Sequence, residues 1–399
     1  MERRTQFKII LIGAAAICGL AIVEVALRVI PLATHYRVLA PNRRETTFPS
    51  PPHIVGVSGP SRYTTNAIGV RGRPWPGDDR RFYRILAIGG STTQDVYLDD
   101  TEAWTAVLEK QLVETRDGRE VWVGNVGKSG LSARDHAVQV PRLLAQHPAI
   151  DAIVLLAGAN DLLTALSEGD AYRQPPPITE PDAQRIQTLR AFEIVPRRLV
   201  EPRDVEGLAW YRRTGIWQGL RLARARLLAR RTTPARSQDP SGAIYDTWRA
   251  YRQGATRLIP EPPDLRAALE EYERNLTSIV ETAAADSVRL VLLSQPMIWR
   301  SDMSEAELRR LWLGGLGDFM SGPGHAYYTP AALDEAMTRY NERLAEVCVR
   351  HRLECFDLAE VIPRDTLIYY DDAHYTEHGA REVARAVATY LKGMPPFAP

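Results

Sequence analysis

Arg84-Ile-Leu-Ala-Ile-Gly-Gly-Ser-Thr-Thr-Gln94 is the stretch that decides the fold of this 399-residue chain. Ile85 to Ile88 are apolar without alternation, the pattern of a strand buried on both faces of a parallel sheet. Gly89 and Gly90 permit a sharp turn at its carboxyl end. Ligands of open α/β sheets bind at that end, so Ser91 stands where a nucleophile would be wanted. Serine is equally suited to cap a following helix. Stretches further along the chain have to separate the two readings.

Outward from this strand, the pattern alternates. Apolar residues at Trp104, Val107, Leu108 and Leu112 predict a helix. A strand is expected over 121–126, a helix over 137–145 closed by His147-Pro148, and a fully apolar strand over 151–158. The same periodicities return later, with a helix over 265–284 and a strand over 288–294. Helices follow over 304–312 and 331–351, then a short strand over 354–357 and a last helix from about Glu377 to Leu391. Such alternation predicts an α/β fold, a three-layer α/β/α sandwich around a mostly parallel five-stranded sheet.

Two regions stand outside that alternation. Residues 32–80 are rich in Pro, Arg and Thr, and read as a stalk followed by irregular structure packed on a main domain of 81–399. Within them, Asn66-Ala-Ile-Gly-Val-Arg-Gly72 reads as a glycine-bearing turn. Residues 164–262 read as an insertion at the carboxyl edge of the sheet, largely helical, forming a lid or substrate platform. Between Arg197 and Arg236 it carries eleven arginines against Glu201, Asp204 and Glu206. That face could meet anionic lipid or an acidic glycan, or be a solvated surface helix.

The amino terminus has its own character. Arg3, Arg4 and Lys8 precede an uncharged run from Ile9 to Val23. As a helix, Ile9 to Ile30 would extend about 33 Å, enough for a bilayer core. Glu24 and Arg28, four apart near its far end, can pair. With no Ala-x-Ala pattern after it, residues 1–31 read as an uncleaved anchor rather than a cleaved signal peptide. The basic flank predicts the amino terminus inside and the rest outside; secretion after cleavage is the alternative. Ile17 is not the small residue that lipidation at Cys18 requires.

Composition excludes some partners. A net charge of +1 gives no whole-protein preference for nucleic acid. Beyond the anchor lie only Cys348 and Cys355, which fit either a disulfide in an oxidising compartment or two buried thiols. Oligomeric state is not legible from these features.

Acyl transfer to serine needs a nucleophile, a base, an orienter for the base and donors for the developing oxyanion. Ser91, Asn125-Val-Gly-Lys-Ser-Gly130 and Gly158-Ala-Asn-Asp161 lie at successive strand ends, and Asp371-Asp-Ala-His374 lies near the carboxyl terminus. Asp371-x-x-His374 lets one loop present carboxylate and imidazole together. Gly130 can offer a backbone N–H and Asn160 an amide donor. Other readings exist for each. Asn160-Asp161 could be a turn. Asp372 competes as orienter. His374 and His378, with Asp371 and Asp372, could hold a metal, but a third convincing ligand is wanting and no metal or cofactor is expected. His325 reads as surface or substrate rim.

Together, Gly-Gly-Ser91-Thr, Asn125…Gly130, Gly158-x-Asn160-Asp161 and Asp371-x-x-His374 resemble the four motif blocks of the SGNH (GDSL-type) hydrolases, in that family's order. The layout is similar to membrane-anchored bacterial members with a Gly-Gly-Ser-Thr-Thr block. The resemblance covers about residues 84–161 and 288–391 and implies a flavodoxin-like sheet. It further implies Ser91 as nucleophile, His374 as general base and Asp371 as its orienter. The Ser91 and Gly130 N–H groups and the Asn160 side chain would form the oxyanion hole. One departure stands out, because the Asp that usually precedes the serine is Gly90 here.

The expected activity is that of a serine esterase hydrolysing an acyl ester of a glycan or lipid, with acetyl as the candidate group, through an acyl-enzyme outside the cytoplasmic membrane. An O-acyltransferase using the same acyl-enzyme is the alternative. A non-catalytic glycan- or lipid-binding module is the third reading.

Overall fold

The computed structural model describes residues 2–201, 205–231, 239 and 241–398. Five strands form the central sheet: β1 (Phe82–Gly89), β2 (Glu120–Asn125), β3 (Ala152–Leu156), β4 (Arg289–Leu293) and β5 (Glu354–Phe356). Their order across the sheet is β5-β4-β3-β1-β2, and all four pairings are parallel. Every residue of β3 is buried, and so is all of β1 after Phe82. This is why both strands read as unbroken apolar runs. Ile85 sits between Val123 and Ala152, which fixes the register of the three strands whose ends carry the site.

The order in which successive strands are added reverses between β1 and β3, the switch point where a crevice opens in doubly wound sheets. Helices Trp104–Leu112 and Glu377–Lys392 pack against each other, as do Ala133–Gln146, Arg266–Ala285 and Pro330–His351. Parallel crossovers need such a layer on each face. The helix starts are chemically marked. Thr376 and Thr329 each accept a hydrogen bond from the backbone N–H three residues on, as N-caps do. Cys348 and Cys355 are disulfide-bonded, joining the end of Pro330–His351 to β5.

Several expectations need correction. The helix expected over 304–312 is only Glu305–Leu308, opened by a Ser304–Glu307 capping box. The chain beyond it turns inward, leaving Leu311, Trp312 and Leu313 buried in a loop. The expected boundary at residue 80 is also displaced. One compact unit comprises Arg37–Glu193 with Ser237–Pro399, and the other comprises Met1–Tyr36 with Ile194–Arg236. In the larger unit, Arg44–Thr47 pairs antiparallel with Ser61–Thr64, and Val38, Leu39, Ile54, Tyr63 and Val70 are buried. Residues from 37 onward group with the larger unit and contribute to its core.

The presumed single insertion is likewise divided. Residues 164–193 and 237–262 belong with the sheet, and 194–236 with the amino-terminal helix. In the smaller unit, the apolar helix Glu2–Val29 is followed by Pro31–Ala33, paired antiparallel with Arg197–Arg198, and by helix Gly215–Arg231. Arg203, Asp204 and Arg236 of the basic stretch lie outside the described residues.

Candidate active site

Ser91 opens a single helical turn, Ser91–Gln94, directly after β1. Its Oγ lies 2.8 Å from His374 Nε2, and His374 Nδ1 lies 2.7 Å from Asp371 Oδ2. With the Nδ1 proton on the Asp371 side, Nε2 is left to accept from the Ser91 hydroxyl. Asp371 is 0% exposed and its Oδ1 accepts from the Ala373 and His374 N–H groups at 2.9 and 2.8 Å. The loop thus folds around its own carboxylate, which is what the three-residue spacing allows.

Asp372 does something different. Its Oδ1 accepts from Trp299 Nε1 at 2.8 Å, and its Oδ2 from the Trp312 and Leu313 N–H groups at 2.7 and 3.1 Å. All of these contacts organise the 299–313 segment, and none is to His374.

The electrostatics follow from burial and these contacts. Burial alone would push the Asp371 carboxyl up. The charge and hydrogen bond of His374, with the two N–H donors, outweigh that and hold it below the usual carboxylate range. Burial likewise opposes a charged imidazole at His374. Asp371 in contact, with Asp95 and Asp372 further off, outweighs it and lifts His374 above its ordinary value. A hydroxyl paired with an imidazole that is backed by an ionised carboxylate can lose its proton as it attacks a carbonyl carbon.

The expected oxyanion donors gather at the same cavity. Ser91, Gly130 and Asn160 all line a cleft of about 560 Å³. Among the described residues, neither the Ser91 nor the Gly130 N–H has a hydrogen-bond partner. Gly130 holds φ at +77°, a conformation open to glycine that strains other residues. Asn160 Nδ2 donates one hydrogen to Leu131 O at 2.8 Å, which leaves its second available. Gly90 now has a reason. A Cβ there would come within 2.5 Å of Asn160 Nδ2, so an Asp in this backbone would displace the amide.

Asp161 does not line the cleft. Its carboxylate accepts from the Ala133 N–H and ties the start of one helix to another. Asn160→Ala is expected to cost about 10²–10³ in kcat, the worth of one oxyanion donor, with KM for a small aryl ester little changed. Steady-state kinetics on the purified variant read this directly.

Residues outside the expected catalytic set hold this arrangement. Arg71, 2% exposed, donates to the carbonyls of Gln94, Asp95 and Leu98 at 2.7, 2.9 and 2.6 Å and to Asp100 at 2.9 Å. It thereby satisfies the orphan carbonyls where the Ser91 turn ends, and Asp95 there has φ +50°. Gln94 Oε1 accepts from both the backbone and hydroxyl of Ser129, at 2.8 and 2.6 Å, and so links the Ser91 turn to the loop bearing Gly130. Asn125 Nδ2 donates to Thr93 O, a second link between the same segments.

Trp312 Nε1 donates to Asp371 Oδ2 at 2.9 Å, and its ring stacks on Trp248 at 4.5 Å. Tyr245 and Trp248 come from helix Ile244–Gln253 and line the cleft, so this part of the expected insertion does form a wall. Trp312 carries no chemical signal in the sequence, because helical spacing assigns it to a helix that stops at Leu308. Arg71 carries none because a long side chain reaching backbone carbonyls leaves no periodicity. His325 lies away from the cleft lining, with Nδ1 2.9 Å from Leu316 O. No group of three His, Cys, Asp or Glu able to hold a metal occurs among the described residues. Both ring nitrogens of His374 face protein partners.

A five-stranded parallel sheet of this order is a doubly wound α/β architecture, and its carboxyl edge carries a hydroxyl, an imidazole and a carboxylate, the groups that acyl transfer to serine requires. The sequence pattern of the GDSL-like lipase/acylhydrolase family matches residues 87–382, and the chain belongs to that family. Similar solved structures include a member of the lipolytic G-D-S-L family from Veillonella parvula, at 12% identity, covering 78% of this chain and 100% of that one, with a TM-score of 0.38. An acetylxylan esterase from Geobacillus stearothermophilus is similar at 13% identity, covering 77% of this chain and 94% of that one, with a TM-score of 0.39. No curated protein sequence matches the chain.

Proposed function

We propose that this protein is a serine esterase that works through an acyl-enzyme on Ser91, outside the cytoplasmic membrane. The observation that carries the reading is the continuous path from Ser91 Oγ through His374 to the buried Asp371, with contacts of 2.8 and 2.7 Å. In the first half-reaction the Ser91 oxygen bonds to the ester carbon, and its proton passes to His374 Nε2. Ser91 N–H, Gly130 N–H and Asn160 Nδ2 receive the developing oxyanion. The same proton then goes to the departing alcohol. Water, deprotonated by His374, attacks the acyl-enzyme, and that proton returns from Nε2 to the departing Ser91 oxygen as the acid is released.

An extracytoplasmic site is supported by two features. Basic residues precede the apolar helix, which orients the amino terminus inward. The Cys348–Cys355 disulfide suits an oxidising compartment.

Labelling with a fluorophosphonate and mapping the modified peptide tests the reading. Modification of Ser91 in the folded protein supports it, and an unlabelled Ser91 would return the chain to a non-catalytic binding role. Hydrolysis measured with a sugar acceptor present separates esterase from acyltransferase, since acyl transfer outrunning hydrolysis would assign the acceptor.

The pH profile carries a further expectation. His374 must be neutral to act as base, and Asp371 raises its pKa. Activity should therefore fall as pH drops through a value above the usual imidazole value of about 6.5. A kcat/KM profile whose acidic limb lies below that value would contradict the assignment of His374 as base.

A further inference from the structure

The smaller unit carries an exposed aromatic cluster that the esterase reading leaves unused. Trp210 is 80% exposed, and Tyr211 and Trp217 are each 40% exposed. Their rings meet edge to face, Trp210 on Tyr211 at 6.0 Å and Tyr211 on Trp217 at 5.5 Å. Arg212 lies over both Tyr211 and Trp217, at 5.6 and 6.0 Å from the ring centres. A contiguous exposed aromatic patch of this kind marks a surface that another phase or partner covers.

What covers it is indicated by where the cluster is tied. Glu24 accepts hydrogen bonds from the Gly215 and Ile216 N–H groups, at 2.8 and 3.1 Å, and so caps helix Gly215–Arg231. Arg28 pairs with Glu24 at 2.7 Å and donates to Arg213 O at 3.1 Å. The aromatic segment is therefore pinned at the level of residues 24–28 of the apolar helix. Along that helix, Lys8 to Arg28 is about 30 Å at 1.5 Å per residue, the thickness of a bilayer's hydrocarbon core. The span Arg3–Val29 has the length and hydropathy to cross a membrane, with none of its apolar window buried in the protein. Only Glu24 and Leu27 of that span are partly covered, so the second helix meets it at this one turn.

We propose that Trp210, Tyr211 and Trp217, with Arg212 and Arg213, form a collar in the headgroup layer of the bilayer that the apolar helix spans, with a preference for anionic lipid. Amphipathic aromatic rings settle at this depth. Arginines beside them add attraction to an anionic leaflet, on the order of 1 kcal/mol per residue. The occupant is thus lipid, continuous with the surface around the span. The Glu24 carboxylate is the clasp that keeps the collar at that depth.

Tryptophan quenching in vesicles tests this on the full-length chain. Vesicles of phosphatidylcholine with added phosphatidylglycerol would carry lipid brominated close to the headgroup. Two of the eight tryptophans are in the collar, so quenching should reach up to a quarter of the emission and vanish in W210F/W217F. Quenching that persists unchanged in the double variant overturns the proposal, as does quenching only by lipid brominated near the chain ends. R212Q/R213Q should abolish the part of the quenching that phosphatidylglycerol adds. Equal wild-type quenching without phosphatidylglycerol overturns the anionic preference. E24Q retains the side chain's shape, and loss of quenching in it supports the clasp. Thermal unfolding controls for folding, and no step reads esterase activity.

Discussion

Ser91→Ala should lower kcat on an aryl acetate by roughly 10⁶-fold, and His374→Ala by a similar factor. The two act as one unit. Without the hydroxyl there is no atom to carry the acyl group, and without Nε2 at 2.8 Å no base to take the proton. The double variant should therefore be scarcely worse than either single one, and the residual rate is that of the oxyanion donors and binding. Each substitution removes few packing contacts, so thermal unfolding should stay close to wild type. Full activity in Ser91→Ala would sink the assignment of the nucleophile. Strict additivity of the two losses would mean that the residues act in separate steps.

Asp371→Asn and Asp372→Ala should fail in opposite ways, although the two residues are adjacent and both 0% exposed. Asp371 faces His374 Nδ1 and Trp312 Nε1. Replacing its charge with an amide leaves the imidazole in the wrong tautomer and should cost about 10⁴ in kcat with little loss of stability. The acidic limb of the residual activity should move to lower pH, since the carboxylate that raises the His374 pKa is gone.

Asp372 instead receives three donors from Trp299, Trp312 and Leu313, and its charge lies near buried Arg252. Removing it strands those N–H groups and leaves the guanidinium uncompensated. A loss of about 3–5 kcal/mol of stability is expected, read from denaturant unfolding. If Asp372→Ala were stable but inactive and Asp371→Asn active, the orienter would be the other carboxylate.

How legible each part was follows from how far its determinants reach. Strands β1 to β4 could be read from the chain because their buried residues run almost without interruption, whereas β5 is a half-buried edge strand of three residues. The amphipathic helices followed from a 3.6-residue period. The four chemical blocks could be read because each lies in a short loop at the end of a strand or before a helix. What failed shares one cause. The 304–312 segment has helical spacing, but Trp312 and Leu313 donate their N–H groups to Asp372, sixty residues away in the chain, and these bonds replace a helical ladder. Arg71 looked like part of a turn, and its four partners lie 23 to 29 residues on.

By itself the sequence determined the layer order, the apolar amino-terminal helix and the candidate set of Ser91, Gly130, Asn160, Asp371 and His374, because local burial and loop chemistry are written in local residue order. Only the tertiary structure decided which of two adjacent aspartates meets His374, why residue 90 is glycine, and that Cys348 joins Cys355. It also decided that residues 194–236 group with the apolar helix rather than the sheet. Those outcomes depend on which groups arrive at one point in space. Contacts between distant segments leave no period in the chain that would announce them.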